Sequence, residues 1–152
     1  MVRFGRASGS ERRLDTGIVW RLFRRKPKPS KPVDLTGVPV KPRVKTYSAE
    51  SGYVYQYVYR GQRHPGEQSE YVFSVTSDRK SWHPVSIVLG DALIEQWQAS
   101  EVRDLLGTER YAIAKLSLFQ FLDETESFDG PPAPLKIGSE DIYRHLRTLG
   151  RL

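Results

Sequence analysis

Cysteine is absent from all 152 residues of this chain. Disulfides, thiolate zinc sites, iron–sulfur clusters and cysteine nucleophiles are therefore excluded, because each of them needs a thiol. A chain without cysteine also fits a reducing compartment.

Long apolar runs are lacking as well. The longest candidate, residues 111–122, is interrupted by Lys115, Ser117 and Gln120, whereas a membrane-spanning helix needs about 18 or more consecutive apolar residues. We therefore predict no transmembrane span. The first ten residues are basic and rich in Gly and Ser, without the apolar segment of a secretory signal. We accordingly expect a cytoplasmic protein.

Sequence motifs for cofactor binding or catalysis are also missing. The chain contains no GxGxxG, GxxxxGK[ST], GxSxG or HExxH pattern. His64, His83 and His145 fall in a loop, a strand start and a helix, and none has a second histidine or a carboxylate at ligand spacing, so we expect no metal and no cofactor. Asp78 and Lys80 have a spacing found in some metal-dependent nucleases, but hairpin turns favour the same residues, and we interpret them as a turn.

What the chain does have is a steep charge asymmetry. Residues 1–46 carry 13 Lys and Arg against 3 Asp and Glu, whereas residues 47–152 carry 11 against 15. The overall charge of +6 therefore comes from the first segment. We predict a basic, proline-rich, extended arm over residues 1–46 and a small domain over residues 47–152, with a linker near residues 125–138. Such an arm binds nucleic acid, acidic protein surfaces or anionic membranes.

The cations of the arm are densest around three prolines, Pro27, Pro29 and Pro32. Proline lacks a backbone donor and restricts φ, so this stretch is predicted to be extended rather than helical. A flexible chain of this charge density binds phosphate backbones by releasing condensed counterions, without a fixed shape. The candidate backbone-binding residues are Arg21, Arg24, Arg25, Lys26, Lys28 and Lys31.

An apolar patch, residues 18–23, precedes these cations and contains Trp20 and Phe23. A purely solvated tail has no need of such residues, so we interpret the patch as an anchor. It either folds back on the chain's own domain, fits a groove of a partner, or makes peripheral contact with a membrane surface. Six residues are too few to show whether the apolar residues of this patch repeat with the period of a helix or of a strand.

The body of the chain begins with three runs rich in β-branched and aromatic residues. They are Tyr53–Arg60, Glu70–Thr76 and Trp82–Leu89. Their connections are too short for parallel crossovers, so we predict antiparallel pairing. Helical periodicity follows near residues 91–105, 108–124 and 139–150. The predicted fold class is α+β: a three-stranded antiparallel meander packed by two to three C-terminal helices, with an extended basic N-terminal arm.

Alternation along the strands predicts one strongly apolar face, because side chains two apart point the same way. The residues of this face are Tyr53, Tyr55, Tyr57, Tyr59, Tyr71, Phe73, Val75, Val85, Ile87 and Leu89. Exposed aromatic residues on a sheet can stack bases of single-stranded nucleic acid. Exposing this whole face would leave the domain without a core, so we predict that it is the core and that only edge residues such as Tyr53 and Tyr59 are accessible.

These patterns favour a non-enzymatic accessory protein whose basic arm engages an anionic partner, nucleic acid or a ribonucleoprotein. One alternative is a small structural subunit of a protein or membrane-associated complex, with the arm threaded along neighbouring subunits. A second alternative is an enzyme whose site follows no recognisable motif.

Overall fold

The computed structural model describes residues 34–126 and 128–152. Within this part of the chain, five strands and three helices form an α+β fold, as predicted. The elements are β1 Lys45–Ser48, β2 Val54–Arg63, β3 Gln68–Thr76, β4 His83–Gly90, α1 Asp91–Glu101, α2 Gly107–Glu124, β5 Leu135–Lys136 and α3 Ser139–Thr148.

The strands form one sheet in the order β1-β2-β3-β4-β5. Neighbours from β1 to β4 are antiparallel, and β5 pairs with β4 in parallel. The predicted three-stranded sheet is therefore replaced by a mixed five-stranded one. The sequence does not reveal β1 and β5 because strands of four and two residues are too short to produce a readable alternation.

The predicted apolar face of the sheet forms the core. Tyr55, Phe73 and Ile87 are fully buried on it, whereas Tyr53, near the strand end, is 43% exposed. On the opposite face, polar residues such as Gln56 and Ser74 alternate with valines, and Val58, Val72 and Val88 are also buried. Alternation identifies residues that share a face, but it carries no information about what covers that face.

Helix α2 covers the core face. Its buried residues include Ile113, Leu118 and Leu122. The ring of Phe119 stacks on Tyr47 of β1 at a centroid distance of 4.1 Å, and the Tyr47 hydroxyl donates to the Asp123 carboxylate at 2.8 Å. Burial, followed by this hydrogen bond, raises the pKa of Tyr47 to about 12. These contacts hold the short strand β1 against the end of the helix.

The boundaries of α1 and α2 depend on the connection between them. Helix α1 ends at Glu101, earlier than the predicted residue 105, because Val102 adopts a left-handed conformation with φ of 53°. At the start of α2, the buried Glu109 carboxylate accepts the Leu106 N–H at 3.0 Å and an N–H of Arg103 at 2.9 Å. The guanidinium of Arg103 lowers the pKa of Glu109 more than burial raises it. A charged pair therefore orders the connection.

A glycine allows residues just before β1 to approach the edge of β2. The β2–β3 register shifts between Tyr59 and Gly61, a β-bulge at which Gly61 has φ of 133°. Beside it, Thr36 and Gln62 exchange two backbone hydrogen bonds of 2.7 and 2.8 Å. A Cβ atom on Gly61 would lie 2.8 Å from the Thr36 carbonyl oxygen. Only glycine fits at this close approach of the Thr36 backbone to β2, which we call the crossing, without displacing neighbouring atoms.

We predict that Gly61→Ala lowers the free energy of unfolding by about 2 to 3 kcal/mol, because it adds a steric clash to a strained φ. Gly66→Ala is the matched control, since Gly66 has φ of 70° and no described residue lies within 4 Å of its Cβ position. The control should lose only about 1 kcal/mol from the left-handed conformation. Urea unfolding of both variants measures the difference, and equal losses would contradict the role given to the crossing.

A second prediction concerns His145 in α3. His145 is buried, and its Nε2 atom has no hydrogen-bond partner among the described residues. Burial, with a smaller contribution from Arg144, lowers the pKa of His145. The folded chain therefore favours the neutral ring, whereas the unfolded chain takes up a proton near pH 6.5. This contribution to stability is complete above about pH 6.5 and is lost as the pH falls below it.

The test compares the wild type with His145→Leu at about pH 7.5 and about pH 5.5. The free energy of unfolding of the wild type should fall more between these values than that of the variant. Other titrating groups are common to both proteins and cancel in the comparison. An identical fall in both would show that His145 does not titrate on unfolding.

Candidate functional site

The binding residues predicted from the sequence lie outside the described part of the chain. They are Trp20, Arg21, Phe23, Arg24, Arg25, Lys26, Lys28 and Lys31. Their role stays a prediction. The described residues do include 34–46, the last part of the predicted arm.

Residues 37–44, which we call the strap, run beside β2 without pairing to it. One end follows the bridge between Thr36 and Gln62, and the other precedes the pair of Lys45 with Tyr57. The strap has twice as many residues as the stretch of β2 opposite it, residues 58–61. The strap therefore cannot pair in register with β2 over this interval. A cleft opens between the strap, β2 and α2.

This strap cleft has a volume of about 270 Å³. It is lined by cations from the strap and from β1 and by aromatic residues from β2 and α2. The lining residues are Pro39, Lys41, Arg43, Lys45, Tyr57, Tyr59 and Tyr111. No acidic residue is among them.

The strap has an unusual distribution of apolar and charged side chains. Lys41 and Arg43, two residues apart, both line the cleft. Of the neighbouring valines, Val40 is 98% exposed, and Val38 and Val44 are 52% and 56% exposed. Transfer of apolar groups from water would favour the reverse, with valines against the tyrosines and cations in solvent. Lys41 and Arg43 are themselves exposed, so the strap lines the cleft with solvent-accessible charge and leaves its valines unburied.

Tyr59 and Tyr111 form an aromatic corner in the cleft. Their ring centroids lie 4.8 Å apart and the ring planes are 72° from parallel. Both residues are partly exposed. Burial raises the pKa of Tyr59 to about 12, with smaller contributions from Tyr71 and Tyr111. The phenols therefore stay neutral near pH 7 and keep their hydroxyl donors.

A further cation, Lys115 of α2, lies close to the cleft. Its Nζ atom is 5.9 Å from the ring centroid of Tyr57 and 5.8 Å from that of Phe119. Burial lowers the pKa of Lys115, and the neighbouring Lys45 lowers it further. Within the described residues, no salt bridge joins Lys41, Arg43, Lys45 or Lys115 to a carboxylate. An anion placed here would relieve repulsion between like charges.

Two other side chains that could carry chemistry, Asp78 and His64, make contacts within the fold. The Asp78 carboxylate accepts the backbone N–H groups of Ser81 and Lys80 and the Thr76 hydroxyl, which together lower its pKa to about 2. Asp78 is thus a turn residue. His64 contacts Asp91 at 2.9 Å. In residues 34–126 and 128–152, no group of three His, Asp or Glu is placed to hold a metal ion.

Sequence reasoning missed the strap cleft. The alternate spacing of Lys41, Arg43 and Lys45 was a readable signal that they share one side of an extended segment. Tyr111 and Lys115 carried no comparable signal, because only the packing of α2 brings them beside the strap. The exposed edge tyrosine predicted at Tyr59 is partly exposed and lines the cleft.

Comparisons with protein-family models, with curated proteins and with solved structures find no match to this chain. Among the helices of the described residues, none has the length and apolar character to cross a membrane.

We predict that Lys45→Gln raises the pKa of Lys115, because it removes the like charge that lowers it. NMR titration of ¹³C-methylated lysines measures this pKa directly. Lys136→Gln, which removes an exposed lysine that does not line the cleft, is the control and should leave Lys115 unchanged. An unchanged Lys115 in the Lys45→Gln variant would contradict the proximity of the two ammonium groups.

Proposed function

We propose that this protein is a non-enzymatic nucleic-acid-binding protein whose basic N-terminal segment, including the strap, holds the phosphate backbone. The observation that carries the proposal is the orientation of the strap. Lys41 and Arg43 line a cleft with aromatic walls while Val40 is left in solvent. A bound polyanion gives this arrangement a physical reason.

The charges of the cleft support this proposal. Burial lowers the pKa of Lys115, and repulsion by the neighbouring Lys45 lowers it further. Phosphate groups offset such repulsion, and their neutralisation releases condensed counterions. In sequence, the cations of the strap continue those predicted to contact the backbone at residues 21–31. The basic segment therefore offers phosphate contacts along much of its length.

The aromatic residues favour nucleic acid over an acidic protein surface. An acidic protein would use the lysines and the arginine but would have little use for the corner formed by Tyr59 and Tyr111. Nucleic acid has both complementary groups, since phosphates pair with cations and bases stack on aromatic rings.

One feature supports a second candidate function, a structural subunit of a larger complex. Val38, Val40 and Val44 leave apolar surface exposed on the strap, and contiguous exposed apolar surface is typical of protein contacts. Association through this surface would depend little on salt, in contrast to binding of phosphates.

Fluorescence anisotropy of the full-length protein with a short labelled oligonucleotide, measured over a range of salt concentrations, tests the proposal. Affinity should fall steeply with salt. The triple variant Lys41→Gln, Arg43→Gln, Lys45→Gln should reduce the slope of log affinity against log salt by about 2, from about 0.7 for each lost phosphate contact. Neutralising Arg24, Arg25 and Lys26 should have a similar effect.

The matched control removes the same charge from outside the cleft, as Lys80→Gln, Lys136→Gln, Arg147→Gln, three exposed cations. It should keep most of the wild-type slope. Absence of binding at low salt, or an equal loss in the control, would refute the proposal. A salt-insensitive association with a protein partner that is lost on Trp20→Ala or Phe23→Ala would favour the structural subunit instead.

A further inference from the structure

We infer that the strap cleft makes the protein selective for single-stranded nucleic acid, by receiving one unstacked base against Tyr59 and Tyr111. This inference rests on the proposed function and adds to it the strand state of the ligand. Cations alone bind single and double strands, so selectivity requires a group that contacts bases.

The size of the cleft limits what it can hold. Its volume of about 270 Å³ is slightly below the roughly 300 Å³ at which pockets for drug-sized molecules begin. A single flat ring system suits this space better than an entire larger ligand. In a duplex the base faces are covered by stacking, and a base enters such a cleft only after unpairing and unstacking. A single strand supplies an accessible base at much lower cost.

The aromatic residues of the cleft define where the base lies. Tyr57 is only 4% exposed, and its ring packs edge-on against Phe119 at 5.5 Å, so it forms the floor and is not available for stacking. Tyr59 and Tyr111 are partly exposed and nearly perpendicular. A base stacked on one of these rings presents its own edge to the face of the other ring, which is a favourable aromatic geometry. The site therefore accommodates one base.

The cations of the cleft are available to the backbone of such a strand. Lys41, Arg43 and Lys45 line the same cleft as the tyrosines and remain exposed. With a base against the tyrosines, the flanking phosphates lie within reach of these side chains. Stacking tolerates every base because each has a π-face, so the cleft selects strand state rather than sequence.

The experiment uses full-length protein and a single strand that contains one 2-aminopurine, a base whose fluorescence falls when it stacks. Unlabelled single strand and duplex of the same sequence compete for binding. We expect the wild type to prefer the single strand by at least about tenfold, the effect of one base–aromatic stack. We also expect 2-aminopurine fluorescence to change on binding.

Tyr59→Leu and Tyr111→Leu should each weaken single-strand binding by about tenfold and leave duplex binding unchanged. Tyr53→Leu is the matched control, because Tyr53 is a 43% exposed tyrosine that does not line the cleft. It should behave as the wild type. Tyr111→Phe keeps an aromatic face and should retain the preference. The wild-type comparison needs no variant and holds even if a leucine variant fails to fold.

The outcomes separate this inference from the proposed function. Equal affinity for single strand and duplex, with steep salt dependence, overturns the inference and leaves the proposed function in place. Unchanged 2-aminopurine fluorescence on binding also overturns the insertion of a base. Absence of binding to either form removes both proposals.

Discussion

The packing of helix α2 across the aromatic face of the sheet is the constraint on which the other features depend. Tyr55, Phe73 and Ile87 are fully buried beneath the helices, and each large apolar side chain removed from water contributes about 1.5 to 3 kcal/mol. With Leu118 and Leu122 on the core side of α2, the flank of the same helix lies against the β1–β2 edge. That edge is where Tyr111, Lys115 and Phe119 project, at four-residue intervals. The requirement for a core thus positions one wall of the strap cleft.

The part of the cleft that the strap forms depends on the crossing at Gly61. The backbone pairing of Thr36 with Gln62 brings the end of the basic segment to the edge of β2, and only a residue without Cβ permits this approach. Composition alone describes the basic N-terminal segment as flexible and rich in charge. Its last ten residues or so are nevertheless held at a defined place. Lys41 and Arg43 line the same cleft as Tyr59 and Tyr111, so cations and aromatic rings are combined in one site.

Several acidic residues of the described chain make structural contacts with residues outside the strap cleft. Glu70 pairs with Arg63, Glu109 with Arg103, and Asp123 accepts the Tyr47 hydroxyl. These contacts stabilise strand pairing, a helix start and the short strand β1, respectively. Carboxylates near Lys41 and Arg43 would instead neutralise the cleft. These acids thus stabilise the fold, whereas among the described residues no carboxylate forms a salt bridge with Lys41, Arg43 or Lys45. Under the proposed function, these cations are left for an anionic partner.

The sequence by itself determined the α+β class, the positions of the three long strands and the apolar face that carries Tyr55, because strand and helix periods are local properties of a few consecutive residues. It also indicated that Tyr59 would be accessible at an edge. Strands β1 and β5 were decided by the tertiary structure, since segments so short exist only when a neighbouring strand and a helix hold them. The strap cleft was decided in the same way. One of its lining residues, Tyr111, is about 70 residues from the strap. No local pattern states that Lys41 and Tyr111 line the same cleft, because only the burial of a shared core brings distant segments together.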